Sequence, residues 1–157
     1  MKRFFKIYFI IIALMSGSYA NDKLYQFMGI NSSIDMIDGK TNLSLGAKYG
    51  QQNGLWRTSL NLNASADYQA FIVQSDRAIF KEAFKTYQLK PYMGFAFGYM
   101  GSRLEGVESG LVYGGNFGVN YVFNDRYDID FGYRYLVTNG KNSAGLNNLI
   151  LSLHYFY

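Results

Sequence analysis

The 157 residues contain no cysteine, one proline and one histidine, and charged side chains make up only 17% of them. Without cysteine there are no disulfide staples, no thiol nucleophile and no thiolate-bound metal, although export would permit disulfides. One histidine and scattered carboxylates make no ligand cluster for zinc or calcium, and no cofactor is expected. Long hydrophobic runs are also scarce. The one at Ile7 to Met15 is shorter than the ~20 residues a membrane-spanning helix needs. If this chain enters a membrane, it does so as strands.

That run sits in "MKRFFKIYFIIIALMSGSYA", with Lys2, Arg3 and Lys6 before it and the small residues Ser18 and Ala20 after it. This is the pattern of a secretory signal peptide, here residues 1–20, cut after Ala20 to leave one domain at 21–157. Three of the 15 basic residues and none of the 11 acidic ones lie in that segment. The overall charge of +4 therefore falls to 12 basic against 11 acidic in the mature chain. Basic character belongs to the leader, and a nucleic-acid role loses its support.

Glycine (17), tyrosine (15) and phenylalanine (13) are abundant. They fall in segments of strict apolar alternation separated by turn residues, the signature of half-buried strands. In Tyr127 to Thr138, "YDIDFGYRYLVT", Tyr127, Ile129, Phe131, Tyr133, Tyr135 and Val137 alternate with Asp128, Asp130, Gly132, Arg134, Leu136 and Thr138. Leu111 to Phe123, Trp56 to Tyr68, Leu43 to Tyr49, Leu89 to Gly101 and the terminal "NLILSLHYFY" repeat the pattern. Pro91 falls near a strand start, where a missing donor is tolerable. The parity of Lys23 to Ile34 is unsettled, and "RAIFKEAFKTY" reads as part helix or turn. The count is about eight strands.

Connections alternate between tight ("QQNG", "NDR") and longer, more charged ("IDMIDGK", "SRLEGVE", "NGKNSAG"). That alternation suits a transmembrane β-barrel with short turns on one rim and longer loops on the other. A soluble ligand-holding barrel would turn the apolar face inward. The aromatic positions favour the membrane. On the apolar face, Tyr49, Trp56, Tyr121, Phe123, Tyr127, Tyr155 and Tyr157 fall toward one rim. Tyr68, Tyr99, Tyr113 and Tyr135 fall toward the other, with aliphatics and Phe between the two groups.

The leader, "KPYMGFAFGYMG", "DIDFGYRYLV" and the aromatic last strand together resemble the small outer-membrane β-barrel superfamily, which includes OmpA-type membrane domains and OmpX-like proteins. The resemblance spans the whole mature chain, and no single motif in it is diagnostic. It implies a closed antiparallel meander in the Gram-negative outer membrane, in contact with lipid and lipopolysaccharide, and a monomer. It also implies that the final strand, with Leu151, Leu153, Tyr155 and Tyr157, is read by the barrel-assembly machinery. Tyr157 stands where that family usually carries Phe.

An eight-stranded barrel is narrow enough for side chains to fill. The inward parity carries Lys48, Arg57, Lys90, Asp128, Asp130, Arg134 and His154, expected to form a polar plug; a small gated pore is the alternative. Arg134 lies about 13 Å along the strand from Asp130, so its carboxylate partner is expected from elsewhere, with Asp76 and Glu82 as candidates. Asp35, Asp38, Glu105 and Glu108 read as solvated loop charge, able to bridge lipopolysaccharide through divalent cations. Some small outer-membrane barrels modify lipid, but Ser152 and His154 lie on the interior parity, away from lipid, and no motif of those enzymes is present. "GFAFGYMG" lacks the strand-to-helix turn of a phosphate loop.

Overall fold

The computed structural model describes residues 24–79, 88–139 and 144–157. The leader, Glu82 and the central part of "NGKNSAG" lie outside the described residues. Eight strands follow one another: β1 (Leu24–Ile37), β2 (Lys40–Asn53), β3 (Trp56–Ala64), β4 (Tyr68–Ala78), β5 (Leu89–Ser102), β6 (Gly110–Val122), β7 (Tyr127–Thr138) and β8 (Gly145–Phe156). Each pairs antiparallel with the next, and β8 pairs with β1 to close the barrel. Closure leaves no strand edge to template aggregation. With an even number of strands, the start of β1 and the end of β8 share one rim, here called the terminal rim; the opposite one is the loop rim.

Alternation places the large apolar residues outside. Leu43 is 75% exposed, Leu45 71% and Ile30 68%, an apolar girdle far beyond what a water-soluble surface carries. The unsettled parity of β1 resolves with Phe27, Asn31, Ser33, Asp35 and Ile37 buried inside and Gln26, Met28, Ile30 and Ile34 exposed outside. Two faces this different make opposite demands on a substitution. Leu151 is half exposed on the outer wall, whereas its neighbour Ser152 is buried in the interior. Leu151→Arg should lower the unfolding free energy of detergent- or bilayer-folded protein by about 2–4 kcal/mol, if the site lies near the bilayer midplane. Ser152→Ala should cost about 1 kcal/mol. Denaturant titration of both reads the difference, and equal losses would mean that the outer wall does not face lipid.

Three connections differ from the sequence expectation. "IDMIDGK" is no loop: Asp38 (φ 48°) and Gly39 (φ 75°) form a two-residue turn of the left-handed kind that matches strand twist. β1 therefore runs on to Ile37. Second, the stretch from Trp56 to Tyr68 is not one strand. β3 stops at Ala64, and Ser65 Oγ accepts from the backbone N–H groups of Asp67 (3.2 Å) and Tyr68 (3.1 Å), holding a tight turn. Third, the rims are not simply short and long, because the longest connection, residues 79–88, belongs to the terminal rim.

The interior is polar through its middle and apolar under the loop rim. Ile37, Tyr68, Ala70, Ile72, Ala96, Met100, Val112, Leu136 and Leu146 form a buried cluster, joined by Val107 from the β5–β6 loop. Val107 N–H donates to Leu104 O at 3.3 Å, Leu104 packs on the same cluster, and Ser109 Oγ accepts from Ser102 N–H at 2.8 Å. The loop thus folds a hydrophobic stopper into the barrel mouth. Val107→Asp should release it, because an unpaired charge is not tolerated in an apolar site. Limited proteolysis between Arg103 and Glu108 should accelerate while the barrel keeps its melting point, and unchanged cleavage would mean that Val107 does not hold the loop.

Candidate functional site

Interior side chains are brought together by register rather than by sequence proximity. Nearest the terminal rim, Asp128 on β7 is shared: its Oδ2 accepts from Arg57 Nη2 at 2.6 Å and its Oδ1 lies 2.6 Å from His154 Nδ1. That contact fixes the histidine tautomer, with the proton on Nδ1. Arg57 also donates to Asn120 Oδ1 (2.9 Å) and Gln52 Oε1 (2.7 Å), and its guanidinium lies over Phe27 (5.1 Å) and Phe156 (5.4 Å). Two aromatic faces and a fork of acceptors suit arginine better than lysine. Lys90 is half buried at this mouth, lining with Arg57 and Asp128 a cavity of about 360 Å³.

One layer further in, Lys48 Nζ donates to Asp130 Oδ2 at 3.1 Å and lies 3.5 Å from Ser152 Oγ. Tyr92 OH donates to the other oxygen of Asp130 at 2.7 Å. Its ring reaches there across a notch: Tyr92, Gly118 and Gly132 are consecutive partners on β5, β6 and β7. A Cβ on either glycine would lie 2.5 Å from the tyrosine hydroxyl. The two glycines are therefore the seat of a side chain, not merely spare space.

Arg134, 1% exposed, occupies the centre. Among the described residues no carboxylate touches it. Its Nε donates to Asn148 Oδ1 (3.2 Å) and its Nη1 to Gln74 Oε1 (3.4 Å), and Nη2 lies 2.9 Å from Asn63 Oδ1 once that amide is oriented to satisfy its neighbours. Each of the first two amides then donates onward to a carboxylate. Asn148 Nδ2 reaches Asp35 Oδ1 at 2.5 Å, and Gln74 Nε2 reaches Asp76 Oδ2 at 2.8 Å. The cation meets two acids, each through one amide. Asp35 also accepts from Ser33 Oγ (2.6 Å) and Tyr68 OH (2.5 Å), and Asp76 from Asn116 Nδ2.

Several expectations need correction. Tyr68 is not a belt residue: it is 1% exposed and points inward, because the turn after Ala64 resets the parity. Asp35 is not solvated loop charge: it is fully buried, since β1 extends through it. Asp76 is linked to Arg134 only through Gln74. Of the proposed plug, Lys48, Arg57, Asp128, Asp130, Arg134 and His154 are buried inside, with Lys90 at the mouth. Asp35 and Asp76 bring the acids among the described interior residues to four, against Lys48, Arg57, Lys90, Arg134 and the single histidine. The remaining aromatic-belt positions lie on the outer face or, for Phe123, in the turn after β6. Leu151, Leu153, Tyr155 and Tyr157 form an outward row, with Tyr155 and Tyr157 stacked at 6.3 Å and Tyr127 5.3 Å from Tyr155.

Among the described residues, Ser152 and His154 are not paired. His154 Nε2 has no hydrogen-bond partner among the described residues, and Ser152 Oγ engages Lys48 instead. No three His, Asp or Glu side chains among the described residues are grouped to hold a metal.

No protein-family model matches the chain, and no curated protein sequence is recognisably similar to it. Its shape does have counterparts. Neisserial surface protein A is 14% identical, with a TM-score of 0.61 over 84% of this chain and 96% of that one. The N-terminal β-barrel domain of Pseudomonas aeruginosa OprF is 11% identical, with a TM-score of 0.59 over 86% and 100%. A de novo designed transmembrane β-barrel is 10% identical, with a TM-score of 0.51 over 87% and 99%. The fold is that of the small eight-stranded outer-membrane β-barrels: closed, antiparallel, a meander, with an apolar outside and a filled inside.

Proposed function

We propose that the protein is a non-conducting barrel of the Gram-negative outer membrane with a structural, envelope-stabilising role. In this reading the leader at 1–20 exports it and residues 21–157 insert as a monomer through the barrel-assembly machinery, which reads the last strand. The terminal rim faces the periplasm, and the loop rim faces lipopolysaccharide, where exposed Lys40 and Arg103 meet its phosphates. No catalysis is assigned to it. The observation that carries the reading is the succession of bonded and packed side chains through the interior of the described residues. The Arg57–Asp128–His154 cluster, the Lys48–Asp130 pair, the Arg134 relays and the apolar stopper follow one another from rim to rim.

The pore reading draws on the cavity of about 360 Å³ at the terminal rim, with Arg57 and Lys90 on its walls. In the sealed-barrel reading the Arg57–Asp128 pair, which lines that cavity, closes it on its inner side. Single-channel recording on purified, folded protein separates the two readings. A sealed barrel gives no steady current, and resolved openings by the unmodified protein would replace this proposal with the pore. Outer-membrane fractionation and a heat-dependent gel shift should accompany it, and recovery in the soluble periplasm would remove the location.

A further inference from the structure

The outer wall carries a groove of about 650 Å³ that crosses several strands. Strand register explains it. One bank is the outward row Tyr127, Tyr155, Met28, Tyr49 and Leu60, consecutive partners from β7 round to β3. The other is Leu153, Ile30, Ala47, Leu62 and Phe71, partners from β8 to β4. Between the banks runs a row that points inward, including His154, Gly29 and Lys48, which shows only backbone to the outside. Ala47, the smallest side chain on either bank, widens the gap at its middle.

The banks differ chemically. Toward the loop rim the bank is pure hydrocarbon; toward the terminal rim it carries three phenols. The next outward row down is hydrogen-bonding, with Gln26, Gln51, Thr58 and Ser75 in register. One row lower, exposed Arg77 lies 5.7 Å over the Trp56 ring, a cation at the level where amphipathic rings meet headgroups. Hydrocarbon, phenol, amide and hydroxyl, then cation is the order of polarity met along an amphiphile with an anionic head. Four strand steps at about 4.8 Å give the groove a length of about 19 Å.

We propose that this groove is a binding site for one diacyl phospholipid of the leaflet at the terminal rim. An acyl chain lies along the Ile30–Ala47–Leu62 bank, the ester oxygens meet the Gln26–Gln51–Thr58 row, and the phosphate reaches Arg77. The proposal rests on the terminal rim facing the periplasm, whose leaflet is phospholipid.

The test uses the folded full-length mature barrel in bicelles of phosphatidylethanolamine and phosphatidylglycerol, transferred to mild detergent for native mass spectrometry. The unmodified protein should retain one phospholipid. Ala47→Phe, which fills the groove with another apolar side chain, should lower that retention at least tenfold. Ala64→Phe, outward on β3 but outside the groove, should retain lipid as the unmodified protein does. The gel shift verifies folding, and Ala47→Leu replaces Ala47→Phe if that variant fails to fold. Equal retention by the Ala47 variant and the unmodified protein, absence of any adduct, preferential retention of added lipopolysaccharide, or a dimer that Ala47→Phe disrupts would each overturn the proposal. Current through the same preparation is read separately, so a conducting barrel that keeps its lipid damages only the sealed-barrel reading.

Discussion

Asp128→Asn should lower the unfolding free energy of the folded barrel by about 3 kcal/mol, the lower end of the 3–5 kcal/mol seen when one partner of a buried ion pair is removed. The substitution keeps the shape, but an amide NH2 replaces Oδ2, the atom that accepts from Arg57 Nη2, so both the charge and that acceptor are lost. His154 can still donate from Nδ1 to the amide oxygen that replaces Oδ1. Arg57 keeps Gln52, Asn120 and its two aromatic faces, yet its charge stays inside, 8% exposed, with its carboxylate gone. The lower end of the range is expected because Arg57 borders the open cavity at the mouth, where water screens part of the loss. Adding Arg57→Met to Asp128→Asn should restore most of the stability, since apolar replacement of a buried pair is often neutral. Denaturant titration of the three variants, followed by fluorescence of the single tryptophan, Trp56, measures the cycle. A loss below about 1 kcal/mol for Asp128→Asn, or no rescue, would show that the pair is not a determinant of stability.

Arg134→Met should cost about 3–5 kcal/mol, although Arg134 touches no carboxylate among the described residues. The loss arises at two removes. Asn148 Oδ1 and Gln74 Oε1 each lose a charged donor, and Asp35 and Asp76, both buried, lose the cation that the amides link to them. Cutting one relay should cost less. Asn148→Leu leaves Asp35 with Ser33 and Tyr68 and Arg134 with Gln74 and Asn63, so about 1–3 kcal/mol is expected for the two hydrogen bonds withdrawn. The stopper around Val107 is untouched by either change, and neither variant should conduct. Unfolding midpoints and single-channel traces on the same preparations check both halves of this expectation. A stable Arg134→Met barrel that passes current would show that the arginine is a gate and not a brace.

The legible part of this interior lies where alternation is unbroken. β7 alternates from Tyr127 to Thr138 without interruption, so the inward direction of Asp128, Asp130 and Arg134 follows from counting. Counting fails where a turn resets it. Carrying β3 parity across Ser65 turns Tyr68 outward, whereas the hydroxyl of Ser65 ends that strand and the count restarts beyond it. Asp35 was lost to a loop that does not exist, although Asp38–Gly39 between alternating residues is a strong two-residue hairpin signal. Parity also tells where a side chain points and not what meets it there. The amide relays of Arg134 join residues up to 113 positions apart, and the stopper depends on Val107 folding back from a loop, which no periodicity marks.

The ladder between β1 and β8 joins the two ends of the chain, and the polar contacts behind it share its remoteness: Asn148 to Asp35 spans 113 residues and Lys48 to Asp130 spans 82. Contacts of such separation form only after large loop entropies have been spent, and chains dominated by them fold slowly. Before the seam closes, Asp35 and Lys48 belong to a hairpin whose opposite charges have not arrived, and both can remain hydrated. Closing the seam therefore brings ladder, desolvation and charge neutralisation together in time. The last strand acts as a clock: until β8 is laid down the interior is an open, wet trough, and afterwards it has no partly assembled form to linger in.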